Sequence, residues 1–269
     1  MKIRRKDRFV SYQLSEAEKK LSYAKYMDLP VRMPPPELEE IIRKPMKLED
    51  GIPGDKFMST ICSGGNPNSE NRYCMFPDGS AYADMKVVLK NCTGQMLGWW
   101  FSWFCHAPEG IDAKFGNLRY KIWDPLDHWD VRDGKMTESF DDGKGDPKWT
   151  SRHNSLDFLK CGLTEDAASA LRKSGVIFNG SVNTTEGMAD RIGVNISEPL
   201  EGGGIITRAR YWFGWTVTDG RPVRDLKGIQ YSEEIVYKIL RHNVIEKMRL
   251  DDLLPPLFAE QSGKPLDKD

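Results

Sequence analysis

The sequence predicts an α+β fold, and three observations carry that prediction. A long helix stands near the C-terminus over residues 231–249. Alternating strand patterns occur at 118–122 and 207–217, with a further strand at 81–89, and from Ser174 to the last helix the chain is strand-like. The last helix has clear local signals. Ser232 is its N-cap candidate, and Glu233 and Glu234 put carboxylates in the first turn, at the positive end of the helix dipole. Ile235, Ile239, His242 and Glu246 follow at steps of four, three and four, so they form one row on one face. The row ends in an imidazole and a carboxylate one turn apart, roughly 6 Å along the axis. Turned inward, such a pair must be paired, hydrogen-bonded or metal-bound, because burying it bare is costly. A simple i,i+4 His–Glu contact at the edge of the core is the alternative.

The earlier elements follow in order. Residues 14–27 have helical spacing and a start signal at Ser15; Pro30 and Pro34-Pro-Pro36 break the chain before a short helix over 37–43. Residues 63–69 read as loop, Pro77-Asp-Gly79 as a turn, and 81–89 as a strand. Thr93 caps an aromatic-dense helix that runs to Phe104; its rings are core material, with one or two available to line a cavity for an aromatic ligand. Leu118, Tyr120 and Ile122 alternate, which predicts a strand pointing them inward; Pro125 ends it and leaves His128 on the following loop. Glycine and charge over 141–147 mark a surface loop. A strand over 150–159 would carry His153 and Asp157, and a helix over 164–173 is capped by Thr164. Gly202-Gly-Gly204 reads as a hairpin turn, not a phosphate loop, since no GK[ST] or Rossmann spacing follows. In the strand after it, Ala209, Tyr211, Phe213, Trp215 and Val217 share one face, and Arg208 and Arg210 the other. The tail after Phe258 is polar and expected to fray.

At 269 residues the chain fits one large domain or two modest ones. Hydrophobic content of 39%, charged content of 29% and a net charge of −1 argue against nucleic acid and membrane partners. The charged N-terminus is followed by no apolar stretch of signal-peptide type, so a cytoplasmic location is expected. Cys62, Cys74, Cys92, Cys105 and Cys161 are odd in number and lack a CxxC, which fits reduced, mostly buried thiols. The sequence has four histidines: His106, His128, His153 and His242. A catalytic zinc site needs nitrogen, sulfur or carboxylate ligands and an open position. His242 and Glu246 could supply two ligands from one helix, and His128 is the natural third.

Five separated motifs then carry a family resemblance. They are Arg72-Tyr-Cys-Met-Phe-Pro-Asp-Gly-Ser80, Trp99-Trp-Phe-Ser-Trp103, Arg119-Tyr-Lys-Ile-Trp-Asp-Pro-Leu-Asp-His128, Thr207-Arg-Ala-Arg-Tyr-Trp-Phe-Gly214 and His242-x-x-x-Glu246. In this order and at similar spacing they resemble the 2,4-diacetylphloroglucinol hydrolase family, which includes phloretin hydrolase. The resemblance implies a helix-grip (START-like) domain, a curved antiparallel sheet around a long C-terminal helix, preceded by a small N-terminal domain. On this chain we place the N-terminal segment at 1–90 and the catalytic domain at 91–269. It further implies hydrolysis of a carbon–carbon bond between an acyl group and a phloroglucinol ring, with Zn2+ held by two histidines and two carboxylates. Carried over by motif, the ligands are His128, His242 and Glu246, with the last carboxylate at or near Asp157, where the family has glutamate; Glu138 and His153 are the next places to look for the fourth ligand. Tyr120 and Tyr211 map onto family tyrosines that hold the substrate. Where the family has a histidine before the glycine turn, this chain has Asn195, which can hydrogen-bond a carbonyl but cannot titrate near neutral pH. His106 and His153 are the imidazoles that could replace it. The expected partners are a small aromatic ketone and a second copy of the chain. Two other readings are a same-fold metal enzyme acting as lyase, cyclase or isomerase on a polyketide or polyphenol, and a non-catalytic protein that binds an aromatic ligand.

Overall fold

The computed structural model describes residues 2–3, 14–63, 65–107, 111, 116–142 and 149–266. The surface loop expected at 141–147 lies, from 143 on, outside the described residues. β1 (Lys2–Ile3) and β2 (Val31–Arg32) pair as a small ribbon. Between them, where a helix was expected over 14–27, the chain makes two short 3-10 turns, Glu18–Lys20 and Ala24–Asp28. The start signal is nonetheless present. The Glu18 N–H donates to Ser15 Oγ at 3.1 Å and the Ser15 N–H to Glu18 Oε2 at 2.9 Å, a reciprocal capping box. The helix does not propagate because Leu21 turns extended, and Leu29 does so again before Pro30.

α1 (Pro36–Arg43) starts with proline in its first turn, where no N–H is missed. β3 (Arg72–Met75) and β4 (Ala81–Leu89) form a hairpin whose turn uses Gly79 at φ +81°. α2 (Gly94–Trp103) is capped as expected: Thr93 Oγ1 accepts from the Met96 N–H at 3.2 Å. The next element corrects the sequence reading. Residues 118–122 are not a strand but the short helix α3 (Leu118–Lys121), whose first turn is closed by Asn117 Oδ1 accepting from the Arg119 N–H at 2.9 Å. Alternation misled because Arg119 and Lys121 are buried with their apolar neighbours. The Arg119 guanidinium lies 4.6 Å over the Trp103 ring and the Lys121 ammonium 4.7 Å over Trp129.

β5 (His128–Arg132) and β6 (Lys135–Glu138) follow, joined by Asp133 and Gly134 at φ +51° and +71°, the two-residue turn that matches strand twist. Then come β7 (Trp149–Ser155), α4 (Glu165–Lys173, capped by Thr164), β8 (Ile177–Thr185), β9 (Arg191–Pro199) and β10 (Ile205–Phe213). The expected 207–217 strand breaks at Gly214, φ +75°, and β11 (Trp215–Thr218) pairs instead with β12 (Arg221–Arg224). Trp215 and Val217 therefore pack beside Trp212, on the opposite face from Tyr211. α5 (Glu233–Gln261) closes the chain.

Eight strands make one antiparallel sheet in the order β3-β4-β10-β9-β8-β7-β6-β5. β4 pairs with β10 along its whole length, so β3 and β4 share a sheet with the strands beyond residue 90, where a domain boundary was expected. α5 lies across one face, against β3, β4 and β10, with α2 beside it. Alternate residues of β10 serve two cores: Ala209, Tyr211 and Phe213 face α5, while Trp212 joins Phe57, Tyr82 and Ile192 on the other side. α5 runs through Pro255-Pro256, past the point where fraying was expected. Leu250, Leu253, Leu254 and Leu257 are fully buried. At roughly 1.5–3 kcal/mol each, their burial offsets the ~3 kcal/mol or more that each of the two interior prolines costs. Among the described residues no helix is long and apolar enough to cross a membrane.

Candidate active site

Four buried side chains converge where α5 passes the far end of the sheet. The Asp133-Gly134 turn sets the β5–β6 register, and a one-residue bulge at Trp129 shifts it so that Glu138 stands opposite His128. α5 contributes His242 and Glu246 from its inward row. His128 Nε2 lies 3.3 Å from His242 Nε2 and 3.3 Å from Glu246 Oε2. His242 Nε2 lies 3.8 Å from Glu246 Oε2 and 4.0 Å from Glu138 Oε2.

Both imidazoles are oriented from behind. His128 Nδ1 is 3.1 Å from the Tyr120 carbonyl oxygen, and His242 Nδ1 is 3.2 Å from Asp127 Oδ2 and 3.4 Å from Asp124 Oδ2. These partners are acceptors, so each Nδ1 carries the proton, and in the neutral rings both Nε2 atoms present lone pairs to one another. Such lone pairs repel unless a proton or a metal ion lies between them. Burial disfavours charge on His242, yet the Asp127 hydrogen bond and the Glu246 and Asp124 carboxylates raise its pKa to about 10. Burial would lift Glu246, but Lys247 and the two histidines hold it at about 2. Burial and the neighbouring Asp127 push Asp124 up to about 6. The cluster attracts positive charge. Two imidazoles and two carboxylates balance a dication, and bonds of about 2.0–2.2 Å to a tetrahedral ion would set the donors ~3.4 Å apart, close to the observed separations. Carboxylates behind a histidine are the usual support for a metal ligand. The residues fit a divalent metal.

The cluster sits at one end of a cavity of about 500 Å³, within the range of small-molecule sites. Phe101 and Phe104 from the α2 end, together with Trp123 and Phe140, give it an aromatic side. The strands give it a polar side, built in cross-strand rows: His153, Asn183 and Arg191; Ser155, Ser181 and Tyr211; Asn179 and Asn195. Gly193 stands between Ser181 and Tyr211, where a Cβ would come within 3.1 Å of the Tyr211 ring.

Most of the sequence-derived candidates meet here. Tyr120 stacks on His128 with ring centroids 3.9 Å apart and planes 6° apart, and its hydroxyl donates to Glu138 Oε2 at 2.8 Å. The Tyr211 hydroxyl donates to Asn243 Oδ1 at 2.5 Å. Asn195 Nδ2 donates to Asn179 Oδ1 at 3.2 Å, while its own Oδ1 is buried without a partner. His153 faces the cavity and its Nε2 is likewise unpartnered; burial and Arg191 lower its pKa to about 4.

Two candidates fall elsewhere. Asp157, expected at the fourth ligand position, lies outside the cluster, and Glu138, the alternative for that position, lies within it. β7 ends at Ser155, and the half-exposed Asp157 accepts from the Leu159 and Lys160 N–H groups in the next turn. The carboxylate beside His128 is Glu138. The Asp-Gly dipeptide at 133–134 could have announced the hairpin that carries it, but nothing local announces the bulge. His106 is exposed, with Nδ1 2.6 Å from the Ser102 carbonyl oxygen. Asp124, Asp127 and Arg191 were not anticipated.

Residues 57–153 and 160–259 match the family model described as the DAPG hydrolase PhiG domain. The chain is 26% identical over 269 residues to phloretin hydrolase of Eubacterium ramulus, covering 94% of each. It is 25% identical over 271 residues to the 2,4-diacetylphloroglucinol hydrolase of a Pseudomonas species, covering 88% of this chain and 87% of that one. A solved Streptomyces structure, the Zhui aromatase/cyclase, superposes with a TM-score of 0.31 at 13% identity, over 71% of this chain and 99% of that one, too loosely to argue from.

Proposed function

Because the chain belongs to the DAPG hydrolase PhiG domain family, we propose that it is a zinc-dependent hydrolase cleaving the carbon–carbon bond between an acyl group and a phloroglucinol-type ring. The observation that carries this reading is the convergence of His128, Glu138, His242 and Glu246 at one end of an aromatic-and-polar cavity. The antiparallel sheet against α5 supports the helix-grip description of the fold.

The overall reaction adds water across the bond: the acyl carbon gains a hydroxyl and leaves as a carboxylic acid, and the ring carbon gains a proton. Bound at the four-residue cluster, a divalent metal supplies Lewis acidity to the acyl carbonyl or to water. Tyr120 positions that end twice, with its ring against His128 and its hydroxyl on Glu138. Asn243 Nδ2 donates to the Ile239 carbonyl, which fixes Oδ1 to accept from Tyr211; the Tyr211 oxygen keeps its lone pairs for a substrate hydroxyl. Burial and nearby Glu246 keep that tyrosine protonated. Asn195 Oδ1 accepts from a second hydroxyl. The aromatic side excludes water from the ring.

The test is incubation of the zinc-loaded protein with a panel of acylphloroglucinols in 18O-labelled water, read by mass spectrometry. The expected products are the free phenol and an acid bearing one label. An unlabelled, rearranged product would replace hydrolysis with the lyase, cyclase or isomerase reading. Stoichiometric zinc with no turnover of any member would remove the hydrolase reading altogether.

A further inference from the structure

Among the described residues, Arg191 is a buried cation with no fully engaged anion. It is 4% exposed, on β9 between Asn183 of β8 and Phe213 of β10. Among the described residues the nearest carboxylate oxygen, Glu138 Oε1, is 3.8 Å away, and Arg191 Nε has no partner at hydrogen-bond distance. A buried guanidinium ordinarily takes a carboxylate in a close, two-pronged bond. This one instead faces the cavity, with Tyr231, Tyr211 and Glu138 around it and His153 two strands away in the same row. Glu138 cannot fully answer its charge, because the other oxygen of that carboxylate takes the Tyr120 hydroxyl and points into the ligand cluster. His153 is neutral near pH 7 and its Nε2 is also unpartnered, so it can complete a hydrogen bond without adding charge.

The arrangement lacks an anion, and carbon–carbon cleavage generates one. The ring carbon first takes a proton, giving the keto tautomer. When water has added to the acyl carbon and the acyl–ring bond breaks, its electron pair enters the ring π system, restores aromaticity and leaves the negative charge on a ring oxygen. We propose that Arg191, with His153 in the same cross-strand row, is the subsite that takes the ring oxygen on which this negative charge collects. The inference rests on the hydrolase reading for its chemistry but not for its binding prediction. Arg191 is then a catalytic residue, acting by electrostatic stabilisation of the leaving ring. His153 is a positioning partner that reads whether a hydroxyl is present.

The test separates binding from turnover. 4-Nitrophenol, whose phenolate absorbs in the visible, is titrated onto the zinc-loaded protein below and above its own pKa. The parent is expected to bind phenolate at least tenfold more tightly than phenol, so that the bound probe ionises at lower pH. Arg191→Gln should lose that preference and Arg191→Lys, which keeps the charge, should retain much of it. Zinc could also favour phenolate, but its share would persist in Arg191→Gln, so the difference between the two proteins isolates the arginine. Thermal melting of each variant checks that it is folded. With an acylphloroglucinol substrate, Arg191→Gln should lower kcat by about 10²–10³ with a smaller change in KM. His153→Gln should raise KM most for substrates carrying the most ring hydroxyls. If the parent turns over nothing yet shows an Arg191-dependent preference for phenolate, the hydrolase reading fails and the subsite stands. If the parent shows no such preference, or folded Arg191→Gln keeps it, the proposal is overturned.

Discussion

The sheet carries a buried charged cluster on each face, and the two are built differently. Away from α5, Asp84 stands in register opposite Arg210, 3.5 Å from its Nε, while Glu70 takes Arg208 at 3.0 Å and Lys86 at 2.8 Å. Arg210 also donates to the Thr60 carbonyl, pinning residues near the second core to the sheet. Carboxylates there meet cations from neighbouring strands, so charge is answered by charge within the cluster even where single atoms, Asp84 Oδ1 and Arg208 Nε, lack a hydrogen-bond partner. On the cavity face, Asp124, Asp127, Glu138 and Glu246 surround two imidazoles whose Nε2 atoms face one another. The cluster that answers its own charge holds the fold. The cluster that is carboxylate-rich has the donor set to take a cation from outside. Burial alone does not distinguish the two; the identity of the counter-charge does.

The largest effect is expected at the α5 residues His242 and Glu246. His242→Ala should lose tightly held metal and with it activity; elemental analysis still finding one metal per folded chain would end the assignment. Glu138→Gln should weaken metal binding by more than the 10–100-fold typical of supporting contacts, whereas Asp157→Asn should leave it unchanged. Competition with a chelator measures both, and the reverse result would restore the carboxylate expected from sequence. On the opposite face, Asp84→Asn should destabilise by about 3–5 kcal/mol, as for breaking one partner of a buried pair, without changing metal content. Denaturant unfolding followed by metal analysis checks it, and metal loss at undiminished stability would erase the distinction between the two faces.

Smaller effects sharpen the picture. Asp127→Asn, behind His242, should weaken metal binding by roughly 10–100-fold, and no change would mean that Asp124 alone orients the ring. The smallest effect concerns pH. His153 has its pKa lowered to about 4, below the ordinary histidine value, so the unfolded chain binds a proton that the folded one refuses. Its contribution to stability is full above about pH 6.5 and declines as pH falls towards 4. The melting temperature of His153→Asn should therefore fall less than that of the parent over that interval; parallel curves would mean that His153 protonates freely in the folded state.

The features legible from the residues alone were local. The caps at Thr93, Thr164 and Ser232, β4 over Ala81–Leu89 and the glycine turn before β10 all depend on residues within about four positions of one another, so their signals survive without tertiary context. The inward row that ends in His242 and Glu246 was legible for the same reason, since helical geometry fixes it. Tertiary structure decided the rest. His128 meets His242 across 114 positions, and Glu138 reaches them only because a single bulge shifts the β5–β6 register. Arg119 and Lys121 defeated the alternating pattern by burying their charges under tryptophan rings, where local polarity no longer reports the solvent face. Asp157 was displaced from the cluster because β7 stops two residues short of it. The row from His153 to Arg191 exists only when three strands lie in register. Periodicity tells which face a residue takes; only the assembled sheet tells what stands opposite.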